Sequence, residues 1–495
     1  MRARRLDRLA AAVLALAAAV APHAAVGAGS TPSGAVAELP DGERWIQHLR
    51  HDLLPFWNLP DAWGTPPGNF PTYRCNDGRR YDPSKPCDEL RYAPGWMAGV
   101  PGRQHVRMMS RQAYFYGVAY QLTGDPAMLD LARDGVEFLR AHAFESDTGS
   151  AVTWLEDGKP GGPPVLERTS QDLAYALVGL AMYYHLTRDP AVLRDILRLK
   201  EHVFREYWDD RRGMLRWVVL DSQGTAEETR QELVAQLDQV NAYLLLVAPL
   251  LPEPQRSAWK ADLLRLARLM REKYFAPAQH MYWGTLQARD STAPGSRHND
   301  FGHSAKALWM TERIGRLTGD GELVRFATAE GAALLARARL PDGTWGSRPQ
   351  PDGSIDESKE WWIDAELDQL CATLALHDPA CARNLVTSYA FWLRHMPDPA
   401  GGEVWGRVMA DGTPDRGLKI HSWKSGYHSA EHALVAYLTT QALKRRPAVL
   451  YFAFRGAPAD YRPYLFAGKV QRVAAAPLPG RIGRQRVEVT FTDLE

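Results

Sequence analysis

The sequence predicts an all-α protein, an (α/α)6 barrel with short β-hairpins at one end and a small C-terminal β appendage. Three observations support this prediction. A turn motif recurs about every 64 residues, twelve segments carry apolar residues at helical spacing, and the chain after residue 445 changes to strand-like runs. A period of this length is typical of a repeated supersecondary unit.

The chain begins with a segment that resembles a secretory signal peptide. A basic start, MRARRLDR, is followed by an apolar run too short to span a bilayer comfortably and by small residues from Val26 to Ala28. We therefore expect residues 1–28 to be removed and the protein to be exported, periplasmic or secreted. No later segment reads as a membrane helix, so no membrane attachment is expected after cleavage.

The repeated turn sets the register of the helices. Similar motifs start at Gln121, His185 and Arg316, which are 64 and then 131 residues apart, so one unit between the last two should turn near residue 250. A fifth turn lies near Leu376. In two of these motifs an Asp-Pro pair follows the turn, where Asp can cap the next helix and Pro suits its first position.

Twelve helices follow from this register and from apolar residues spaced three and four apart. The predicted spans are 42–57, 104–122, 126–143, 171–186, 190–207, 234–250, 254–273, 303–317, 321–338, 361–376, 379–395 and 428–443. The first helix has no preceding partner and the last has no following one. An open solenoid would show the same repeat, but the two spare helices favour a closed ring, with a barrel domain over residues 40–445.

Short β-hairpins are predicted between the helical pairs. The segments are rich in Gly and Asp, each with a bulky aromatic residue: GSAVTWLEDG, GMLRWVVLDSQG, MYWGTLQ, GTWGSRPQPDG and GEVWGRVMADG. Because they recur with the helical period, they should cluster at one end of the barrel. Residues 446–495 contain AVLYFAF, GKVQRVA and QRVEVTFT, which predict a separate β-rich extension.

The amino-acid composition limits the classes of molecule that the protein is expected to bind. The net charge of +1 argues against nucleic acid, and the 16 Trp residues suit either a sugar-binding cleft or a large helical core. The oligomeric state expected is a monomer or a homodimer. Cys75 and Cys87 bracket a polar loop and can form a disulfide, and Cys371 and Cys381 could also pair; spacing alone does not choose among the connectivities.

Histidines at the starts of two helices are the main candidates for chemistry. FGHSAKALWM and GYHSAEHALV place His303 and His428 at equivalent positions of the repeat, so both should face one cleft. Two imidazoles flanking a substrate suit proton transfer near neutral pH. His428 also begins an H-x-x-E-H string, but a third zinc ligand is hard to find in the 63 residues that follow, so no metal is expected.

Four segments together resemble the N-acylglucosamine 2-epimerase superfamily, which includes cellobiose 2-epimerases and aldose–ketose isomerases. They are SRQAYFYGVAYQLTGD, FGHSAKALWM, SKEWWIDAEL and WKSGYHSAEHAL, and the likeness runs from about residue 42 to 443. The resemblance implies an (α/α)6 barrel, a sugar or oligosaccharide substrate, and proton abstraction at C2 beside the carbonyl, with no cofactor.

The resemblance also implies roles for single residues. His303 and His428 match the two acid/base histidines, and Arg111 matches the arginine that contacts substrate oxygens. Trp361 and Trp362 match the cleft lining. Glu366 matches the glutamate of the same segment, although a buried pairing role would suit it as well.

Three positions depart from the family pattern. Lys306 stands where the epimerases usually have Glu, and Glu431 stands where they usually have Arg, which suggests an ion pair of reversed polarity across the cleft. In that reading both residues support the substrate site, and His432 is only a helix residue. The segment AQLDQVNAYL offers Asp238, with Gln236 and Asn241, where the family has histidines.

Two other classes of function stay open. A glycoside hydrolase or polysaccharide lyase could use the same barrel, and a hydrolase would need two carboxylates that face the glycosidic bond. The candidate carboxylates are Asp238, Asp364, Glu366 and Glu431. A non-catalytic carbohydrate-binding protein would bind sugar without exchanging its C2 proton with solvent.

Overall fold

The computed structural model describes residues 34–93, 97, 102–288, 299–378, 381–458, 460–480 and 483–495. The predicted signal segment 1–28 lies outside the described residues. Within them the chain folds into a helical barrel followed by a three-stranded antiparallel sheet.

All twelve predicted helices are present in the described part of the chain, with ends within a few residues of those expected. They are α1 (42–57), α2 (Val106–Thr123), α3 (Pro126–His142), α4 (170–187), α5 (Pro190–Glu206), α6 (233–250), α7 (Gln255–Tyr274), α8 (Phe301–Thr318), α9 (Gly321–Ala338), α10 (Trp361–Ala375), α11 (Ala382–His395) and α12 (Tyr427–Leu443). Short helices Gly34–Glu38 and Pro60–Trp63 flank α1, and α1 and α6 each contain one π-helical stretch, His48–Leu53 and Val240–Leu244.

The twelve helices form two layers. Helix α5 is amphipathic and buries Val192, Ile196, Leu199 and Val203 along one face, as an outer helix should. Helix α2 is buried at every position from Val106 to Leu122, because an inner helix has neighbours on all sides. The even-numbered helices make the inner ring and the odd-numbered helices the outer layer.

The inner ring is closed. Helix α2 packs against α4, α4 packs against α6, α8 packs against α10, α10 packs against α12, and α12 packs back against α2. A buried ion pair between Lys306 of α8 and Asp238 of α6 joins the sixth pair of neighbours. Helix α1 packs on α12, which confirms that the two spare helices pair.

Acidic caps begin the second helix of three hairpins. The side chains of Asp125, Asp189 and Asp320 each accept a hydrogen bond from a backbone N–H in the first turn of α3, α5 and α9. The first two are followed by Pro at the first helical position, as the Asp-Pro motif predicts.

Short antiparallel strands occupy the connections from each outer helix to the next inner helix. The sheets are Gln104–His105 with Trp154–Glu156 and Lys159–Gly161, Trp208–Asp209 with Met214–Leu215, Phe275–Ala276 with Met281–Tyr282, Arg348–Pro349 with Ile355–Asp356, and Lys359–Glu360 with Arg407–Val408. Four of the five predicted hairpin segments thus pair locally. The fifth, GEVWGRVMADG, makes a local antiparallel bridge between Val408 and Pro414, and its strand Arg407–Val408 also pairs with the strand that precedes α10. Since these connections lead into the inner helices, they lie at the N-terminal end of the inner ring.

The C-terminal strands are Ala448–Phe454, Lys469–Pro477 and Gln485–Thr492, close to the three predicted runs. Gln485–Thr492 lies in the centre of the sheet. The first strand packs on α2 and α4. Arg484 binds Asp189 at 2.6 Å and ties the extension to the turn between α4 and α5, so the sheet covers the end of the barrel opposite the hairpins.

The four cysteines are in two different bonding states. Cys75 and Cys87 form a disulfide, as expected for the loop that they bracket. The second possible pair is not formed: Cys371 and Cys381 are free thiols, and the Cys371 Sγ lies 3.3 Å from the Cys381 carbonyl oxygen.

One sequence expectation about membranes needs correction. The window Leu233–Leu250 is long and apolar enough to cross a membrane by length and composition, with a mean hydropathy of 1.3. It is helix α6 of the inner ring, and 83% of the window is buried inside the protein. An inner helix is apolar on all sides because it packs against protein on all sides, which gives it the composition of a membrane helix.

Candidate active site

A cavity of about 190 Å³ opens at the N-terminal ends of the inner helices. Every inner helix contributes to its wall, directly or through the residues just before it. The lining residues are Arg111, Gln171, Tyr175, Asp238, His303, Lys306, Trp361, Trp362, Trp423 and His428. Its volume is below the range of about 300–1,000 Å³ for drug-sized ligands, so it suits a small polar ligand.

His303 is held by the residue that caps its own helix. Asp300 accepts a hydrogen bond from the His303 backbone N–H at 2.8 Å, and its second oxygen lies 2.8 Å from the His303 Nδ1. The carboxylate therefore fixes the ring and favours an N–H at Nδ1. This arrangement leaves the Nε2 atom of His303 to exchange a proton with a ligand.

His428 lies in a different environment. Its side chain is buried, and its Nε2 lies 3.6 Å from the Glu366 Oε1, longer than a hydrogen bond. Burial, and then the positive charges of Arg111 and Lys306, lower the pKa of His428 well below that of an ordinary histidine. The ring is therefore neutral at neutral pH, the form that can accept a proton.

Trp362 joins the two histidines. Its ring centroid lies 4.6 Å from that of His303 and 6.3 Å from that of His428, and Trp361 lies 6.3 Å from His428 on another side. The repeat thus brings the two helix-start histidines to one cavity, with an indole surface between them.

Lys306 does not pair with Glu431, so that prediction is wrong. The Lys306 Nζ donates to Asp238 Oδ1 at 3.0 Å and to the Tyr175 hydroxyl at 2.9 Å, and it lies 4.0 Å from Glu366. Burial opposes the charged form of both residues, but the charge of the partner outweighs it. The Asp238 carboxylate raises the pKa of Lys306, and the Lys306 ammonium group lowers the pKa of Asp238. Lys306 pairs with Asp238 and not with Glu431 because the Lys306 and Asp238 side chains come from neighbouring inner helices and meet directly in the cavity wall.

Glu431 lies below the cavity and does not line it. Its Oε1 accepts a hydrogen bond from the Tyr464 hydroxyl at 2.6 Å. His432 is more than a helix residue, because its Nε2 lies 2.8 Å from Asp368 and its ring stacks on Trp392 at 4.0 Å. His428 and His432 therefore have different partners, and among the described residues they do not gather with Glu431 as a metal-ligand cluster.

Arg111 presents its guanidinium to the cavity. It donates to the Trp423 carbonyl oxygen at 3.2 Å and lies over the Tyr175 ring at 3.8 Å, while its buried Nε has no hydrogen-bond partner. Lys306, the second cation of this cavity, is paired with Asp238, so Arg111 supplies the positive charge that favours a ligand that develops negative charge.

Seven of the nine predicted site residues line the cavity: Arg111, Asp238, His303, Lys306, Trp361, Trp362 and His428. Glu366 lies just behind the wall, where its second oxygen accepts a hydrogen bond from Trp309 Nε1 at 2.8 Å, and burial raises its pKa. The sequence reasoning missed Asp300, Gln171, Tyr175 and Trp423. Trp423 belonged to a quoted motif, and Asp300 could have been found as the helix cap two residues before Gly302.

Three larger cavities, of about 500, 550 and 240 Å³, lie elsewhere among the described residues. The first contains one histidine, His142, the second contains none, and the third contains one, His421. Of these four cavities, the one of about 190 Å³ combines two imidazoles with buried cations, so it is the candidate active site.

Known proteins similar to this chain share both its fold and its sequence pattern. Cellobiose 2-epimerase of Ruminococcus albus is 25% identical over 343 residues, covering 66% of this chain and 85% of that protein. The structure of cellobiose 2-epimerase from Bacillus thermoamylovorans B4167 superposes with a TM-score of 0.64 at 18% identity, over 80% of this chain and 98% of that one. The structure of a D-mannose isomerase gives a TM-score of 0.63 at 16% identity, over 80% and 97% of the two chains.

The sequence profile of the N-acylglucosamine 2-epimerase (GlcNAc 2-epimerase) family matches residues 98–431. This range contains all nine predicted site residues, the inner helices from α2 to α10, and the first turn of α12. The protein is therefore a member of the N-acylglucosamine 2-epimerase family, an enzyme of the sugar 2-epimerase and isomerase class.

Proposed function

We propose that the protein moves a proton at C2 of an aldose, or of the reducing-end sugar of a β-linked disaccharide, with His428 as base and His303 as acid. The observation that carries this proposal is the pair of imidazoles that both lie near Trp362 in one small cavity. Epimerisation requires removal of a proton from one face of C2 and its return to the other face, and two acid/base groups can supply these steps.

The environments of the two histidines support different roles. His428 is buried and neutral, so it can take the C2 proton of the ring-opened sugar. The His303 ring is oriented by its contact with the Asp300 carboxylate. Two histidines held in such different surroundings can take the separate roles of base and acid.

The reaction would run through an enediolate. Removal of the C2 proton by His428 leaves negative charge on the oxygen of the former carbonyl, where Arg111 supplies positive charge. Return of a proton from His303 to the opposite face of C2 gives the epimer. Return of the proton to C1, together with transfer of the O2 proton to O1, gives the ketose.

The geometry of the cavity gives less support to the alternative of a glycoside hydrolase. Of its four candidate carboxylates only Asp238 lines the cavity, and its oxygens already accept from Lys306, Gln171 and Tyr175. A glycosidase needs two carboxyl groups that face the scissile bond. The cavity instead presents two imidazoles and two cations.

Incubation with a panel of aldoses and β-linked disaccharides in D2O tests the proposal. We expect NMR to show deuterium entering C2 of at least one sugar, together with its epimer or ketose. Sugars that bind, for example by calorimetry, without any exchange would contradict the proposal and favour a binding protein. New reducing ends from a polysaccharide would favour a hydrolase.

We also propose that the protein works outside the cytoplasm. The signal-like segment 1–28 motivates this, and a disulfide such as Cys75–Cys87 persists in oxidising compartments. Fractionation of a bacterial host that expresses the full chain should recover a product shortened by about 28 residues outside the cytoplasm. A full-length product confined to the cytoplasm would contradict export.

A further inference from the structure

The cavity of about 550 Å³ lies at the end of the barrel opposite the candidate active site. Its wall comes from the C-terminal ends of α6 and α8, from α7, and from residues 462–467 of the C-terminal extension. His303 and Arg313 both lie on α8, about 15 Å apart along its axis, so the two cavities are separate. The volume is within the range of about 300–1,000 Å³ that suits a metabolite-sized ligand.

Four cationic side chains line this cavity: Lys260, Arg313, Arg316 and Arg462. Arg316 pairs with Glu312, and Arg462 lies 2.8 Å from Asp460. Lys260 and Arg313 make no hydrogen bond or ion pair with any residue that the structure describes. Among the described residues of the wall only Glu495 carries a carboxylate, and it is exposed and pairs with none of the four cations.

Arg313 is the buried member of this cationic group, with an exposed fraction of only 9%. Its guanidinium carbon lies over the Phe466 ring, 4.8 Å from the ring centroid. A contact with the face of a ring does not satisfy the N–H groups at the edge of the guanidinium, and these make no hydrogen bond in the described part of the chain. Arginine is seldom buried in a folded protein unless an anion pairs with it.

The protein itself supplies little negative charge to Arg313. Burial lowers the pKa of the Arg313 guanidinium, and the neighbouring Glu312 carboxylate offsets this only in part. Glu312 is already paired with Arg316. Because a guanidinium stays charged in proteins, a bound anion is the remaining way to compensate it.

The walls of the cavity indicate which anion fits. The planar guanidinium binds carboxylate and phosphate oxygens in a forked arrangement. Apolar side chains lie beside it in the same wall, from α6, α8 and the extension: Leu245, Leu317, Leu465 and Phe466. A ligand with a ring or an apolar group could pack against these side chains while its anionic end binds Arg313.

We propose that this cavity binds a small organic anion, a carboxylate or phosphate ester that carries a ring or an apolar group. Arg313 binds the anionic oxygens, and Lys260 adds a second positive charge. Residues 462–467 lie outside the matched range 98–431, so the C-terminal extension completes a binding site that the barrel alone does not form. This site goes beyond the proposed function and takes no part in the proton transfer.

Calorimetric titration of the full chain at low salt tests the proposal with four probes: phenyl phosphate, benzoate, inorganic phosphate and phenol. We expect phenyl phosphate, benzoate or both to bind. Phenol should not bind because it is neutral, and inorganic phosphate should bind more weakly because it has no group for the apolar wall. No binding of either organic anion, or inorganic phosphate binding as tightly, would overturn the proposal.

Arg313→Met removes the guanidinium and keeps an apolar side chain of similar length. It should weaken binding of the organic anion by about 10-fold or more, the size of a lost hydrogen bond between charged groups. Lys260→Met should weaken binding less, since that side chain is partly exposed. Arg325→Met is the matched control, because it removes an exposed charge of α9 outside the cavity, and it should bind as the wild type does. Equal affinities of the wild type, Arg313→Met and Lys260→Met would place the anion elsewhere and overturn the proposal.

Thermal unfolding separates a ligand site from a packing role. Without a probe, Arg313→Met should have a higher Tm than the wild type, because it removes a buried charge that has no counterion. The organic anion should raise the Tm of the wild type and of Arg325→Met, but not that of Arg313→Met. A lower Tm for Arg313→Met, with no effect of any probe on the wild type, would assign Arg313 to packing on Phe466 and overturn the proposal. Because no sugar is used, these results do not depend on the proposed function.

Discussion

At the scale of single residues, Lys306 determines the charge balance of the cleft. It lies 3.0 Å from Asp238 and 4.0 Å from Glu366, and all three side chains are buried. A buried ion pair contributes little net stability, but removing one partner leaves the other as an uncompensated buried charge.

Lys306→Met should therefore lower the free energy of unfolding by about 3–5 kcal/mol, since Asp238 loses its counterion. The double variant Lys306→Met/Asp238→Asn should recover most of this loss in urea unfolding. Lys306→Met/Glu431→Gln is the control and should recover little. Equal recovery in both double variants would contradict the pairing seen here.

His428 sets the pH dependence of the reaction. Burial lowers its pKa below the ordinary value of 6.5, so acidification through pH 6.5 leaves the ring neutral and able to accept a proton. We expect kcat/KM for C2 exchange to stay level as the pH falls through 6.5 and to decline only below it. A decline of kcat/KM centred near pH 6.5 would instead indicate that the base is a solvent-exposed histidine.

Some features of the candidate site could be predicted from the sequence, and others could not. His303 and His428 could be predicted because the repeat places them at equivalent helix starts. The partner of Lys306 could not, because the charge pattern alone offers several carboxylates and the choice between Glu431 and Asp238 depends on which side chains meet across the ring. Tyr175 stands in no motif of the sequence, and its contact with Arg111 appears only in three dimensions.

At the scale of elements, the Asp-Pro turns fix where outer helices begin. Asp125 caps α3 alone, while Asp189 caps α5 and also binds Arg484 of the C-terminal extension at 2.6 Å. The same sequence motif is therefore expected to contribute different amounts to the stability of the protein at the two turns.

Asp125→Ala should lower the free energy of unfolding by about 1 kcal/mol, the usual cost of a lost cap. Asp189→Ala should cost more, about 3 kcal/mol, because the buried Arg484 also loses its carboxylate. Asp189→Asn keeps a capping side chain and removes only the charge, so it should fall between the two in urea unfolding. Equal costs for the two alanine variants would show that the Arg484 contact adds nothing.

The period of the helices and the local hairpins could be read from the sequence, whereas pairing between distant segments could not. GEVWGRVMADG turns back on itself through a bridge between Val408 and Pro414, and Arg407–Val408 pairs in addition with Lys359–Glu360. Strands of two residues gain little from their own pairing, so the packing of the helices around them decides the partner.

At the scale of the whole molecule, one covalent link lies outside the helical barrel. The Cys75–Cys87 disulfide closes a segment with a sequence separation of 12 between α1 and α2. A link of this length restricts the unfolded chain more than the folded one.

A Cys75→Ser/Cys87→Ser variant should lose about 2–3 kcal/mol of unfolding free energy. Reductant should destabilise the wild type by a similar amount and leave this variant unchanged. Cys371→Ser/Cys381→Ser is the control that should keep its sensitivity to reductant. A reductant effect that disappears in the control instead would place the disulfide elsewhere.

The most direct test of the whole account is C2 exchange by His303→Asn and His428→Asn with a sugar that the wild type converts. We predict that His428→Asn loses deuterium incorporation at C2 by about 10²–10⁴-fold, the usual contribution of a positioned base. His303→Asn should lose epimer or ketose to the same extent. Normal exchange by His428→Asn, in a variant that still binds the sugar, would contradict the account.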